Sequence, residues 1–201
     1  TDSSSPVTGI VYDNQTVEVA NFKFAATNVG YNITDLTFTL PATGTTVADT
    51  IMLYDGATLV ASQPVGSTSI VFSGVNWNVP ANTNKVLTIK LTLGSVGVGA
   101  GISQSDITTT LTGYIAVNTA TGVSAAGTET NPAGQVMYAF AAIPSITVQS
   151  STTALTNGSS KPLLKFKIDA AGGAIAWQQF FSEVTEDVGT KIATSGSVGI
   201  S

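Results

Sequence analysis

The chain has 201 residues, room for one large domain or two modest ones. Hydrophobic residues make up 43% and charged residues only 9%, against about 25% charged in ordinary soluble domains. There is no His, Cys or Arg, and the net charge is −5. This composition excludes disulfides and thiolate chemistry, the commonest general base, a bidentate phosphate clamp and the basic patches that nucleic acid requires.

The polar surface must then come from Ser, Thr, Asn and Gly. Thr and Val pack well on a pleated sheet, and Ser, Gly and Asn suit the turns between strands. No run approaches the roughly 20 apolar residues of a transmembrane helix, so no membrane span is expected. The chain opens on Thr1-Asp2-Ser3 without an initiator Met and without a signal peptide. That start is expected of a processed N-terminus or a piece of a larger protein.

Taken in chain order, the first patterned stretch changes phase midway. Val17 and Val19 alternate with polar residues; Phe22, Phe24 and Ala26 then take the other parity. Tyr31 and Ile33 give way in the same manner to Leu36, Phe38 and Leu40. A phase change within a strand predicts a β-bulge or a switch between sheets. Shorter runs follow at residues 51–54, 58–61 and 69–72. Asp55-Gly56 lies between the first two and predicts a hairpin, because Gly supplies the positive φ of a tight turn.

Leu87, Ile89, Leu91 and Leu93 face one way, and Thr88, Lys90 and Thr92 the other, which predicts a strand with one buried and one wet face. A further strand is expected over 107–111, continuing through Ile115 and Val117. Residues 118–134, rich in Ala, Gly and Thr, read as a surface loop. Another strand covers 136–140, with Val136, Tyr138 and Phe140 on one face. In all, roughly eight or nine short strands separated by turn signals predict an all-β, antiparallel sandwich. Ile143-Pro144 marks a boundary, with a fresh strand over 146–148.

Phe22-Lys23-Phe24 and Leu164-Lys165-Phe166 look alike, an offset of 142. Held without gaps, that offset matches Gly30 to Gly172, Ile33 to Ile175 and Phe38 to Phe180. An internal repeat is therefore expected. It divides the chain into a complete β-sandwich domain at 1–142 and an incomplete second β unit at 143–201. Half a sheet leaves backbone groups and an apolar face uncovered. Truncation, packing on the first unit, or a strand from a neighbouring chain would each answer that, and the last makes a polymer.

The motifs carry little chemistry. Leu40-Pro41-Ala42-Thr43-Gly44 matches the sortase pattern, but so far from the C-terminus it reads as a turn. Sequons at Asn14, Asn32 and Asn157 number no more than the about three that this composition gives by chance, and mark only where glycans could sit. Asp13-Asn14 and Glu186-Asp187 are the nearest approach to calcium ligands, yet isolated pairs are more often solvated turns. Lys23 and Lys165 occupy matching places; an isopeptide bond would need a buried acid, with Asp35 or Glu18 the candidates. Trp77, Trp177, Tyr12, Tyr31 and Tyr54 are candidates for a sugar-stacking platform. Trp177 is the candidate interface anchor. Without His no Ser-His-Asp triad is possible, and the scattered acids give no paired-carboxylate hydrolase. No enzyme activity, cofactor or metal is expected.

The segments Val17-Glu18-Val19-Ala20-Asn21-Phe22-Lys23-Phe24, Ile33-Thr34-Asp35-Leu36-Thr37-Phe38 and Leu53-Tyr54-Asp55-Gly56 resemble the strands of tandem Ig-like sandwich domains. Such domains occur in large secreted and S-layer-like surface proteins of candidate-phylum bacteria. Leu164-Lys165-Phe166-Lys167-Ile168-Asp169-Ala170, followed by Ile175-Ala176-Trp177, looks like the start of a further such domain. Archaeal surface and filament subunits share the composition. The resemblance implies an extracellular, structural role: a surface-layer or pilus-like filament subunit that self-associates or joins neighbouring domains by donor-strand complementation. The alternative is a cell-surface adhesin or carbohydrate-binding module.

Overall fold

The computed structural model describes residues 1–127, 130–149 and 164–176. Their strands are β1 (Gly9–Tyr12), β2 (Thr16–Ala26), β3 (Tyr31–Thr39), β4 (Ala48–Asp55), β5 (Thr58–Pro64), β6 (Ser69–Val79) and β7 (Thr83–Leu93). There follow β8 (Ser105–Asp106), β9 (Thr110–Asn118), β10 (Ser124–Ala126), β11 (Met137–Phe140), β12 (Ile143–Gln149) and β13 (Lys165–Ala171). The one helical element among the described residues is the 3-10 turn Gly44–Thr46.

Two four-stranded sheets carry the core, ordered β2-β7-β4-β5 and β10-β9-β3-β6. Leu87, Ile89, Leu91 and Leu93 of β7 are buried, as their alternation predicts, and face Leu36 and Phe38 of the central strand β3 within one apolar cluster. Phe22 of β2 meets Phe38 at 5.8 Å between ring centroids, and Phe38 meets Phe72 of β6 edge-on at 6.0 Å. The fold is an all-β sandwich.

Both phase changes are bulges. Glu18 pairs with Lys90 and Ala20 with Ile89, so Val19 is the extra residue of β2. Val19 and Ala20 both point inward; two consecutive inward residues are what turn the parity of the strand. In β3, Thr34 is extra between Ile33 and Asp35 against β9. The β4–β5 hairpin pairs Asp55 with Thr58 around the two-residue loop Gly56-Ala57. Gly56 sits at φ +59°, the first position of a type II′ turn. Asparagine takes positive φ at Asn14, Asn28, Asn82 and Asn131 outside the strands and at Asn76 within β6, where the register against β3 shifts, a conformation its short polar side chain tolerates.

A third sheet, β1-β11-β8, closes the sandwich at one side. Its β1–β11 pair is parallel, with Gly9 opposite Met137 and Tyr12 opposite Phe140. Val11, Met137 and Ala139 turn into the core. Val136, Tyr138 and Phe140 do share a face, but it is the outer one. The stretch 118–134 is more than a loop: β10 within it pairs antiparallel with β9.

Beyond Phe140 the described residues form a two-stranded antiparallel ribbon, β12–β13, from Ile143 opposite Ala171 to Gln149 opposite Lys165. Lys23–Ala26 and Lys165–Ile168, matched by the repeat offset, are both extended, but β2 pairs with β7 whereas β13 pairs with β12.

Candidate functional site

The ribbon is amphipathic beyond its basal pair, Ile143 opposite Ala171. Directly opposed residues share a face, so Pro144 and Ala170, Ile146 and Ile168, and Val148 and Phe166 form one side. Ser145, Thr147, Gln149, Lys165, Lys167 and Asp169 form the other. Lys167 is ion-paired with Asp169 at 2.8 Å. On the apolar side Ile146 is 56% and Val148 70% exposed. At the ribbon's base Gly172 takes φ +98°, and a Cβ there would lie 2.7 Å from the Ala141 carbonyl and 3.0 Å from the Tyr12 ring. Glycine is thus required twice over where the ribbon meets the sandwich.

The outer face of β1–β11 is the second unusual surface. The outward positions of the two main sheets carry mostly Thr, Ser, Asn and Lys. Those of β1–β11 carry Ile10, Tyr12, Tyr138 and Phe140, with Val136 just ahead of the strand. Ile10 is 54% and Tyr138 36% exposed. A parallel pair is ordinarily covered on both faces.

Polar residues cluster at the end of the sandwich near the β4–β5 hairpin. Trp77, buried on β6, donates from Nε1 to the Asp55 carboxylate at 3.1 Å. Lys85 of β7 is ion-paired to the same carboxylate oxygen and lies 5.1 Å from the Trp77 ring centroid. Burial pushes the Asp55 carboxyl up, but the hydrogen bonds from Lys85 and Trp77 and the Lys85 charge hold it below its ordinary value of 3.8. Phe24 packs edge-on to Trp77 at 5.3 Å and to Tyr114 at 5.5 Å. The cluster joins the sheets; Trp77 belongs to the core and not to an open platform, while Tyr12, Tyr31 and Tyr54 lie on separate strands, half-buried.

The remaining marked residues are dispersed. Asn14 is exposed in a turn, and the Asn32 amide on β3 donates to Asn76 Oδ1 at 3.2 Å. Asn157, Trp177 and Glu186-Asp187 lie outside the described residues. Asp13 Oδ2 accepts from the Val96 N–H at 3.3 Å and its Oδ1 is buried without a partner. Among the described residues no three acidic side chains converge as metal ligands would. Lys23 and Lys165 are exposed. Glu18 instead accepts from the Asn21 amide at 2.8 Å, and Asp35 from the Thr34 hydroxyl at 2.7 Å, so Lys23 and these acids are not brought together. In the sortase-like stretch Leu40 and Gly44 are buried, and a Cβ on Gly44 would lie 2.4 Å from the Asp106 carbonyl oxygen.

The surface depressions are open. One of about 760 Å³ is bordered by Asp2, Pro6, Val7 and Gln135, and one of about 420 Å³ by Pro41, Asp106, Thr108 and Val136. No helix among the described residues is long and apolar enough to cross a membrane.

The Asp55–Lys85 pair had no local signature in the sequence, and of the outer β1–β11 face only the alternation of Val136, Tyr138 and Phe140 was legible. The ribbon had one: its period-2 alternation over 165–170 is plain. Comparison with family models, with curated proteins and with solved structures returns no match for this chain.

Proposed function

We propose that the chain is a non-catalytic structural subunit, or a segment of one, in an extracellular surface layer or filament. One observation carries the reading: among the described residues a closed sandwich is followed by a two-stranded ribbon with one apolar side. A two-stranded hairpin is marginal in water unless further strands or a packing layer complete it. Exposed apolar surface rimmed by polar residues marks an interaction site. Low charge and Thr-rich strands suit a surface protein that meets copies of itself, and the Ig-like strand pattern suits tandem sandwich units, here 1–142 complete and 143–201 partial. The partial unit is completed by a neighbour, through strand addition or sheet packing. The adhesin alternative draws no support from Trp77, which is spent on the core.

Negative-stain electron microscopy and analytical ultracentrifugation of the full chain test this reading. Ordered filaments or arrays, or a concentration-dependent rise in mass, are expected. A monomer at all concentrations up to the solubility limit overturns it.

A further inference from the structure

We propose that Asp55-Gly56, at the tip of the β4–β5 hairpin, is a site of aspartate isomerisation that Lys85 and Trp77 hold shut in the folded chain. It is the one Asp-Gly pair in the sequence. The Gly56 backbone nitrogen attacks Asp55 Cγ and forms a C–N bond. The carboxyl hydroxyl leaves with the amide proton as water, and a five-membered succinimide remains. Water then opens the ring at either carbonyl. Opening at the Asp55 main-chain carbonyl routes the backbone through Cγ and gives isoaspartate. One water is lost and one regained, so the mass is unchanged and no other reactant is needed.

Three observations place the reaction here and restrain it. First, the nucleophile is unobstructed. Glycine has no side chain to crowd its own nitrogen. Gly56 lies in the two-residue loop outside the Asp55–Thr58 pair, and a Cβ built on it would meet nothing within 4 Å. Second, the electrophile is engaged elsewhere. Asp55 Oδ2 accepts from Trp77 Nε1 at 3.1 Å and also from Lys85 Nζ. Lys85 is itself held, donating to the Asn78 carbonyl at 3.3 Å and lying over the Trp77 ring. Cyclisation turns the charged acceptor into a neutral imide and releases both donors, whose hydrogen bonds to a carboxylate are the strong kind. The neutral acid is also the form that loses hydroxyl. Burial favours that form, but the hydrogen bonds from Lys85 and Trp77 outweigh it and keep Asp55 ionised. Third, the Asp55 and Lys85 side chains are 33% and 29% exposed, so water reaches the site to open the ring. Isoaspartate would lengthen the main chain beside the turn and withdraw the carboxylate from the contact between the sheets.

The test follows isoaspartate at residue 55 by peptide mapping and isoaspartyl methyltransferase labelling, in the full chain aged near neutral pH. Asn157-Gly158 can also give isoaspartate, but by deamidation, which changes the mass, so the two peptides are told apart. Wild type unfolded in guanidinium chloride gives the unrestrained rate. Folded wild type should be slower by about tenfold or more, and folded Lys85→Met should be faster than folded wild type by about tenfold, the factor that one hydrogen bond to a charged group contributes. Circular dichroism checks that the variant is folded. A folded Lys85→Met no faster than wild type overturns the proposal, because the hairpin backbone would then be the restraint. Folded wild type that reacts as fast as the unfolded chain overturns it too. Should Lys85→Met fail to fold, Trp77→Phe, which keeps a ring in the core, takes its place with the same two outcomes.

Discussion

The Trp77 indole N–H on β6 donates to the Asp55 carboxylate on β4, a hydrogen bond that runs from one sheet of the sandwich to the other. Lys85 of β7 adds a second polar link between the sheets here, donating from Nζ to the Asn78 carbonyl of β6 at 3.3 Å. Trp77→Phe keeps a ring against Phe24 and removes the donor. A loss of about 1–2 kcal/mol is expected, the lower range for a hydrogen bond to a charged group. Trp77→Ala should cost about 3–5 kcal/mol, because it also leaves a cavity. Urea denaturation of both variants checks the split; unchanged stability in Trp77→Phe would show that the hydrogen bond contributes nothing.

The same carboxylate sets a pH dependence. Its folded pKa lies below its ordinary value of 3.8, since Lys85 and Trp77 outweigh the effect of burial. A depressed pKa means that ionised Asp55 favours the folded state. Its contribution is fully present above about pH 4, near the ordinary carboxylate value, and is lost as pH falls through the lower folded value. Stability measured by denaturant between pH 6 and pH 2 should fall on the acid side, and Asp55→Asn should flatten that fall. An unchanged slope in Asp55→Asn would exclude Asp55 as its source.

Gly44 offers a test of the sortase-like stretch. With the Asp106 carbonyl 2.4 Å from where its Cβ would be, Gly44→Ala must displace backbone and should cost about 1–3 kcal/mol. The folded chain should also resist sortase, because the scissile Thr43-Gly44 bond leads into the 3-10 turn with Gly44 buried. Mass spectrometry after incubation with enzyme and a glycine nucleophile should show intact chain. Transpeptidation of the folded protein would show that this stretch opens readily.

The N-terminal residues protect an edge. Asp2 N–H donates to the Asn21 carbonyl at 2.7 Å, and Asn21 N–H donates to Ser5 Oγ at 2.9 Å. Asn21 lies on β2, an outer strand of its sheet, where bare N–H and C=O groups invite pairing with other chains. Removing residues 1–5 should lower the melting temperature by several degrees, on the order of 1–2 kcal/mol for the lost hydrogen bonds. It should also raise aggregation in a light-scattering melt. Unchanged scattering would mean that the edge is guarded otherwise.

Much of the sandwich could be read from local pattern. The alternation of β7 and the phase changes around Val19 and Thr34 are recorded residue by residue, because a buried face tolerates few polar side chains. Gly56 announced its turn for a similar reason, since few residues accept its φ. The third sheet could not be read in this way. β11 was legible as a strand over 136–140, but β1 has only four residues, too few for a distinctive period, and the pairing of the two joins Gly9 to Met137, a contact that no local pattern encodes. The alternation of Val136, Tyr138 and Phe140 shows that they share a side, but alternation alone cannot say which side is wet. Nor could spacing show that Asp55, Lys85 and Trp77 meet, since each comes from a different strand.

The parallel pairing of the first and last strands of the sandwich also sets its mechanics. The chain enters β1 at Gly9 and leaves β11 at Phe140, and in a parallel ladder these lie at opposite ends of the pair. Tension between those points pulls the strands past each other along their length. It therefore loads the ladder hydrogen bonds together, in shear, and does not unzip them one by one. Antiparallel first and last strands would be peeled apart from one end. Rupture under force is governed by the unfolding barrier, so a four-residue pair that contributes modestly to equilibrium stability sits where it can act as a clamp against stretching.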